Sequence, residues 1–265
     1  MNANGTVGAE DETDEEYATA FWAKYGRAPL VARGRVLRRV VSVRIVNIVV
    51  TAALKAPLNL AAVKAVLAHC GAEYTTIKKF PSLGLHMVCD ASGARAAMSV
   101  FATGRIVCHG CQTESGSIAA LFRVADMLEV RFPGIGPPRL TVRNIVSCMR
   151  MDVAIDLKVL HRHIAATVTH DRMYHPPVYD AVDFPGLQWK SGNGLQYLVF
   201  GSGAVVITNG HDRDHVRRGV IEVHDIVYSC ARAHPGSVQR ANGPIDEDDG
   251  VWRRAATFSV EDYVD

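Results

Sequence analysis

The sequence predicts an α+β protein built from two pseudo-symmetric repeats, whose strands form one antiparallel sheet with helices packed on one side. Three observations predict this. Asn47-Ile48-Val49, Phe80-Pro81-Ser82-Leu83 and Phe101-Ala102-Thr103-Gly104 recur in order as Asn144-Ile145-Val146, Phe184-Pro185-Gly186-Leu187 and Phe200-Gly201-Ser202-Gly203. Each copy also carries the same succession of β-branched runs and helical stripes. Finally, the offsets of 97, 104 and 99 residues keep the order while loop lengths differ, as a duplication does.

Each repeat opens with a β-branched strand, over residues 41–51 and 139–148. A helix follows. Leu60, Val63, Val66 and Leu67 form one apolar stripe, stopped at Gly71, and Leu157, Leu160 and Ile164 form the other. Asn59 and Asp156 stand just before these helices as N-caps, each twelve residues after its repeat's asparagine. Two strands with a glycine-marked hairpin come next, over residues 84–88 with 98–109 and 187–190 with 195–208. A helix closes each copy, one over residues 118–130 and one carrying Val216, Val220, Val223 and Val227. The expected organisation is therefore a mostly disordered arm over 1–40, a first repeat over 41–131 and a linker over 132–138. A second repeat over 139–231 and a disordered acidic tail over 232–265 complete it. Residues 167–179 read as a loop that the first repeat lacks.

A hydrophobic content of 48% with 21% charge suits a globular chain able to bury a core. The net charge of +2 conceals segregation: residues 9–16 are acidic or small, and Arg33, Arg35, Arg38, Arg39 and Arg44 form a basic run. No apolar stretch is long enough to span a bilayer, and the N-terminus lacks the order of a secretory signal. The six cysteines then read as reduced thiols of an intracellular protein.

Strand alternation places Phe101, Thr103, Arg105, Val107 and His109 on one face, with Phe200, Ser202, Ala204, Val206 and Thr208 beside them. Asn47 with Val49, and Asn144 with Val146, add an amide and a branched apolar group in each half. Ile106, Cys108, Val205 and Ile207 point the other way, toward helices. An exposed apolar sheet face marks a binding surface. The minor groove of A·T-rich DNA fits it, because that groove offers acceptors to amides and hydroxyls over an apolar floor. Paired phenylalanines at each end could then wedge between base steps and kink the duplex.

These duplicated motifs resemble the core of the TATA-binding protein family over about residues 41–231. The resemblance implies a saddle: a curved sheet of ten strands with four helices on its convex side. It implies a general transcription initiation factor of the nucleus that binds and bends double-stranded promoter DNA, with no cofactor and no catalytic step. By position, Asn47 and Asn144 correspond to the central groove amides, flanked by Val49 and Val146. Phe80 with Phe101, and Phe184 with Phe200, correspond to the wedges. Val107, Val206, Leu198 and Thr208 correspond to further groove contacts, and Lys79, Arg105 and Lys190 to phosphate contacts. Tyr179, Asp180 and Asp183 fall where a transcription factor IIB-like partner docks, and Arg123 lies on the helix that meets IIA-like factors. RNA polymerase machinery is the implied downstream partner.

The chain departs from the family pattern at four positions. His109 replaces a threonine, Ala204 a lysine opposite Arg105, His86 an arginine and Ser99 a leucine. Those changes keep a second reading open: a relative with little TATA specificity, recruited to promoters by other proteins. No phosphate loop, nucleophile elbow or paired acid–base group suggests an enzyme. Cys108-His109-x-Cys111 has the wrong spacing for a zinc site, and alternation separates Cys108 from His109. His161, His163, His170 and His175 read as surface groups.

Overall fold

A computed structural model describes residues 30–32, 35–37, 41–77, 80–89, 95–151, 153–167 and 175–240. A short hairpin, β1 (Leu30–Ala32) with β2 (Arg35–Leu37), precedes the first repeat. That repeat runs β3 (Val41–Ala53), α1 (Leu60–Val66), β4 (Glu73–Ile77), β5 (Phe80–Val88), β6 (Arg95–Phe101), β7 (Arg105–Cys111) and α2 (Glu114–Glu129). The second runs β8 (Arg139–Met151), β9 (Val153–Ile155), α3 (Leu157–Thr167), β10 (Gly186–Lys190), β11 (Gln196–Phe200), β12 (Ala204–Gly210) and α4 (Arg213–Ala233). A last strand, β13 (Val238–Arg240), pairs with β9.

Among the described residues, nine strands form one antiparallel sheet in the order β10-β11-β12-β8-β3-β7-β6-β5-β4. The order is a palindrome of the two repeats about the β8–β3 seam. At that seam Ile48 pairs with Ile145, while Asn47 faces Val146 and Val49 faces Asn144. A twofold axis through the isoleucine pair therefore exchanges the halves. Even the irregularities obey it: the register slips at Val46 on β3 and at Arg143 on β8, 97 residues apart.

Both apolar cores lie on the helix side of the sheet. One gathers Ile48, Val50, Ile106 and Cys108 under α1 and α2, with Val63, Leu121 and Val124 from the helices. The other gathers Met149, Met151, Val205 and Ile207 with Leu160, Val220 and Val223. Val216 of the second repeat sits in the first core, so the halves share apolar contact as well as a seam. At the N-termini of α2 and α4, Arg213 donates to both carboxylate oxygens of Glu114 at 3.0–3.2 Å. These two residues are equivalent positions of the repeats, 99 apart, and their pairing ties the closing helices together.

The caps form as expected: Asn59 Oδ1 accepts from Ala62 N–H, and Asp156 Oδ1 accepts from Lys158 and Val159 N–H. Gly71 closes the α1 region with φ of 71°. Several expectations are corrected. The runs 98–109 and 195–208 are not single strands; each is broken by a Phe-x-x-Gly turn, in which Gly104 and Gly203 donate to Phe101 and Phe200 carbonyls at 3.0 Å. Strand β4 adds to the strands expected from the apolar pattern, and it is built on the short aromatic and β-branched run Tyr74-Thr75-Thr76-Ile77. Among the described residues the sheet has nine strands where ten were expected, and the second repeat's counterpart of β4 is represented by one bridge, Val178 with Gln188. Pro176 and Pro177 just before it lack the N–H groups a ladder needs. Residues 167–179 thus occupy the chain position of β4, although 168–174 lie outside the described residues.

Two other readings change. The tail expected to be disordered from 232 onward is ordered through Arg240: α4 extends to Ala233, and Val238 is buried in the second core while β13 pairs with β9. His163 is not a surface group; it is buried, with Nε2 2.7 Å from Ser229 Oγ. The rest of the N-terminal arm, the remaining tail, His170 and Lys79 lie outside the described residues.

Candidate nucleic-acid interface on the helix-free sheet face

Alternation along β3 and β8 turns Asn47, Val49, Asn144 and Val146 away from the helices, because Ile48 and Ile145 occupy the core. Each asparagine is fixed by a bulge on the next strand. Asn47 Oδ1 accepts from Gly110 N–H at 2.7 Å, and Asn144 Oδ1 accepts from Asn209 N–H at 2.8 Å. Gly110 and Asn209 both have positive φ, 92° and 65°, where an extra residue enters β7 and β12. Glycine adopts that conformation freely, and asparagine is the residue next best suited to it. The bulge thus captures the oxygen end of each carboxamide and turns its amino end, a pure donor, the other way.

Around this pair the face carries Val107 from β7 and Val206 from β12. Val146, Cys148 and Val206 pack together with Val46, Leu198 and Phe200. The face was expected to be exposed, and here the structure differs. Val49, Val107, Val146 and Val206 are at most 2% exposed, and Asn47, Asn144, Ser99 and Thr208 are also buried.

The phenylalanine pairs are unequal. Phe184 and Phe200 are half-buried and meet edge to face, 5.8 Å between centroids, over Gly186. A Cβ at Gly186 would lie 2.7 Å from the Phe184 ring, so glycine makes room for the pair. In the first half Phe80 is 54% exposed while Phe101 is buried. Thr103 and Ser202 are exposed at the turn tips rather than within strands, which corrects their placement on the sheet face. Lys190 ends β10, half-buried. Tyr179 packs against the second core, whereas Asp180 and Asp183 are exposed on the adjoining turn. Asp180 Oδ1 caps Val182 N–H there at 2.9 Å. Arg123 is exposed on α2, and its guanidinium donates to the Val88 carbonyl.

His109 reaches this face beside Ala97 and His86, which share its register across β6 and β5. Burial, and secondarily His86, hold its imidazole below the ordinary value of 6.5. His163 is lowered by burial and then by His234. His215 is lowered by burial and then by His211 and Arg218, against smaller opposing effects of Asn193 and Asp212. Below pH 6.5 the unfolded chain protonates these rings before the folded chain does, so stability is lost as pH falls from 6.5 through the lower folded values. The melting temperature should therefore drop between pH 7 and 5, by about 2–4 °C per kcal/mol lost. Calorimetry of a His163→Gln, His215→Gln variant should show a flatter pH slope; an unchanged slope would remove these histidines as its source.

Cys108 points into the first core, not onto the face. Its thiol is pushed up by its hydrogen bond to Cys111 and then by burial. Cys89 and Cys111 sulfurs lie 2.6 Å apart.

Alternation on β8 also brings an arginine to the face that was not among the sequence candidates. Arg150 follows Cys148 by two residues and pairs with Ala204. Arg143, set off by the bulge, donates from Nε to Thr51 Oγ1 at 3.1 Å. The alternation signal was sufficient to find Arg150; nothing in the sequence announced the slip that redirects Arg143.

A duplicated antiparallel saddle with helices on one side, and a symmetric amide strip on the other, defines the class. The chain belongs to the family described as transcription factor TFIID, or TATA-binding protein, whose profile matches residues 42–130 and 139–230. It is 30% identical over 184 residues to TATA-box-binding protein 2 of Haloferax volcanii, covering 69% of this chain and 91% of that one. It is 29% identical over 150 residues to the TATA-box-binding protein of Archaeoglobus fulgidus, covering 56% and 75% respectively. Among solved structures, Methanococcus jannaschii TBP superposes with a TM-score of 0.51 at 22% identity, over 71% of this chain and 99% of that one.

Proposed function

We propose that this protein is a general initiation factor that seats the minor groove of A·T-rich promoter DNA on its helix-free sheet face and bends it. The observation that carries this reading is the pair of pinned carboxamides on either side of the twofold axis. With their oxygens held by bulge N–H groups, Asn47 and Asn144 offer donors. The A·T minor groove presents only the N3 and O2 acceptors, whereas guanine adds an amino donor that would oppose them. A near-symmetric face suits a groove whose A·T and T·A patterns are nearly alike.

Val49, Val107, Val146, Val206 and Leu198 would pack on the sugars and base edges, with Thr208 and His109 beside them. Phe80 with Phe101 and Phe184 with Phe200 would wedge the outer base steps, Arg105 would meet a phosphate near the turn carrying Thr103, and Lys190 and Lys79 are proposed for further phosphates, with Thr103 and Ser202 at the turn tips beside the wedges. Because these side chains are buried in the free chain, seating DNA requires the groups around them to rearrange. The surface at Tyr179, Asp180 and Asp183 is proposed for a IIB-like factor and that at Arg123 for a IIA-like one, delivering the polymerase machinery. The reading involves no cofactor and no catalysis. The archaeal relatives support action on promoter DNA and lend no support to a nuclear location in particular.

Competition between duplexes tests the donor logic. A·T-rich DNA should bind well and G·C-rich DNA poorly, and replacing guanine by inosine should restore binding by deleting the opposing amino group. Equal affinity for all three duplexes would instead favour the recruited, non-reading factor, to which the substitution of histidine at position 109 points.

A further inference from the structure

Arg105 has a lysine-like counterpart in neither the sequence nor the turn of the second repeat, since its equivalent, 99 residues on, is Ala204. Register supplies the missing cation from the adjoining strand. In the first half Arg105 on β7 pairs with Ala53 on β3. In the second half Ala204 on β12 pairs with Arg150 on β8. Ala53 and Arg150 are themselves equivalent, 97 residues apart. Each half therefore has the same cross-strand pair, one arginine and one alanine, with the two residue types exchanged between strands.

We propose that Arg150 is the phosphate-binding cation of the second half and the partner of Arg105 in a symmetric pair of DNA-backbone contacts. This rests on the DNA-binding reading above. The side of the sheet is fixed by its neighbours: Met149 and Met151 lie in the helix-side core, and Cys148 packs with Val146 and Val206 on the other face. Its place is fixed by the turn, because Met151 N–H donates to the Gly203 carbonyl at 2.9 Å, beside Phe200. Leu54 N–H donates to Gly104 in the same way beside Phe101. Both arginines are half-buried at the foot of a Phe-x-x-Gly turn. Directly opposed side chains of an antiparallel pair have Cβ atoms about 5 Å apart. A long guanidinium side chain on either strand can therefore serve one phosphate position, and alanine opposite leaves it room. Guanidinium also suits a phosphate better than an ammonium does, because its N–H groups form a planar fork.

Salt titration of binding to an A·T-rich duplex tests the assignment, using the full chain as wild type, Arg105→Gln, Arg150→Gln and both together. Each single change should reduce the slope of log affinity against log salt by about 0.9, and the double change by about twice that. Adding Ala204→Arg to Arg150→Gln should restore the wild-type slope, a rescue that a folding defect would not give. A wild-type slope for Arg150→Gln, with the slope reduced in Arg105→Gln, overturns the inference while leaving DNA binding intact. Absence of duplex binding by the wild-type protein overturns both the inference and the reading beneath it.

Discussion

Removing both rings of the second pair, as Phe184→Ala with Phe200→Ala, is expected to remove one of the two proposed kinks and so reduce DNA bending markedly, while the protein stays folded. Both rings are half-buried and contact each other over Gly186, so neither is the centre of a core. Their loss should cost little stability. On DNA they are proposed to replace base–base stacking at the step they open. An aromatic stack on a base is worth about 1–3 kcal/mol. Losing two such contacts takes away most of what offsets unstacking, which itself costs a few kcal/mol per step. Fluorescence transfer between the ends of a labelled duplex should rise with wild-type protein and rise distinctly less with the variant. Far-ultraviolet dichroism should be unchanged. A full wild-type rise in transfer with the variant would assign the bend to other residues.

Gly203→Ala is expected to be among the most destabilising single changes in the chain. Gly203 has φ of 84°, and a Cβ there would lie 2.3 Å from the Val153 carbonyl oxygen and 2.4 Å from that of Met151. Those acceptors belong to backbone at the end of β8 and in β9, which cannot swing aside as a side-chain tip can. The left-handed conformation alone costs a non-glycine residue about 1–2 kcal/mol. Displacing two carbonyls, and with them the Met151 to Gly203 hydrogen bond, should bring the total to at least ~3 kcal/mol. That corresponds to a fall in melting temperature of about 6–12 °C for a chain of this size. Gly134→Ala is the internal control, since its φ is also positive, at 90°, but nothing lies within 4 Å of the added carbon. It should lose only the conformational part. Equal losses at the two positions would show that crowding by Val153 and Met151 contributes nothing. Gly104→Ala, 2.4 Å from the Ala56 carbonyl, should behave as Gly203→Ala does.

These glycines also show why much of the fold was legible in the sequence. Phe-x-x-Gly recurs because the same turn, with the same positive φ, closes the same strand pair in both halves. The caps at Asn59 and Asp156 were readable for a similar reason: a helix start needs a side-chain acceptor, and duplication placed it at the same distance twice. The facing of Asn47 and Asn144 followed from alternation about Ile48 and Ile145.

What escaped has a physical source too. Alternation assumes an unbroken register, and one extra residue in a strand reverses it without any mark in composition. The slips at Val46 and Arg143, and the bulges at Gly110 and Asn209 that pin the amides, were invisible for that reason. The edge strand β4 is short, with Glu73, Tyr74 and Thr75 all exposed, so no alternation of buried and exposed residues marks it. Burial of His163 and of the valine strip depends on which surfaces converge in three dimensions. Arg150 is legible by alternation, since it lies two residues beyond Cys148 on the same strand.

Selection of bound sequences from random duplexes by the full chain decides whether the pinned amides read A·T-rich minor grooves. Enrichment of A·T runs, lost when Asn47 and Asn144 are both replaced by alanine, is the expected result. Strong binding with no base preference, or enrichment of G·C sequences, would contradict it.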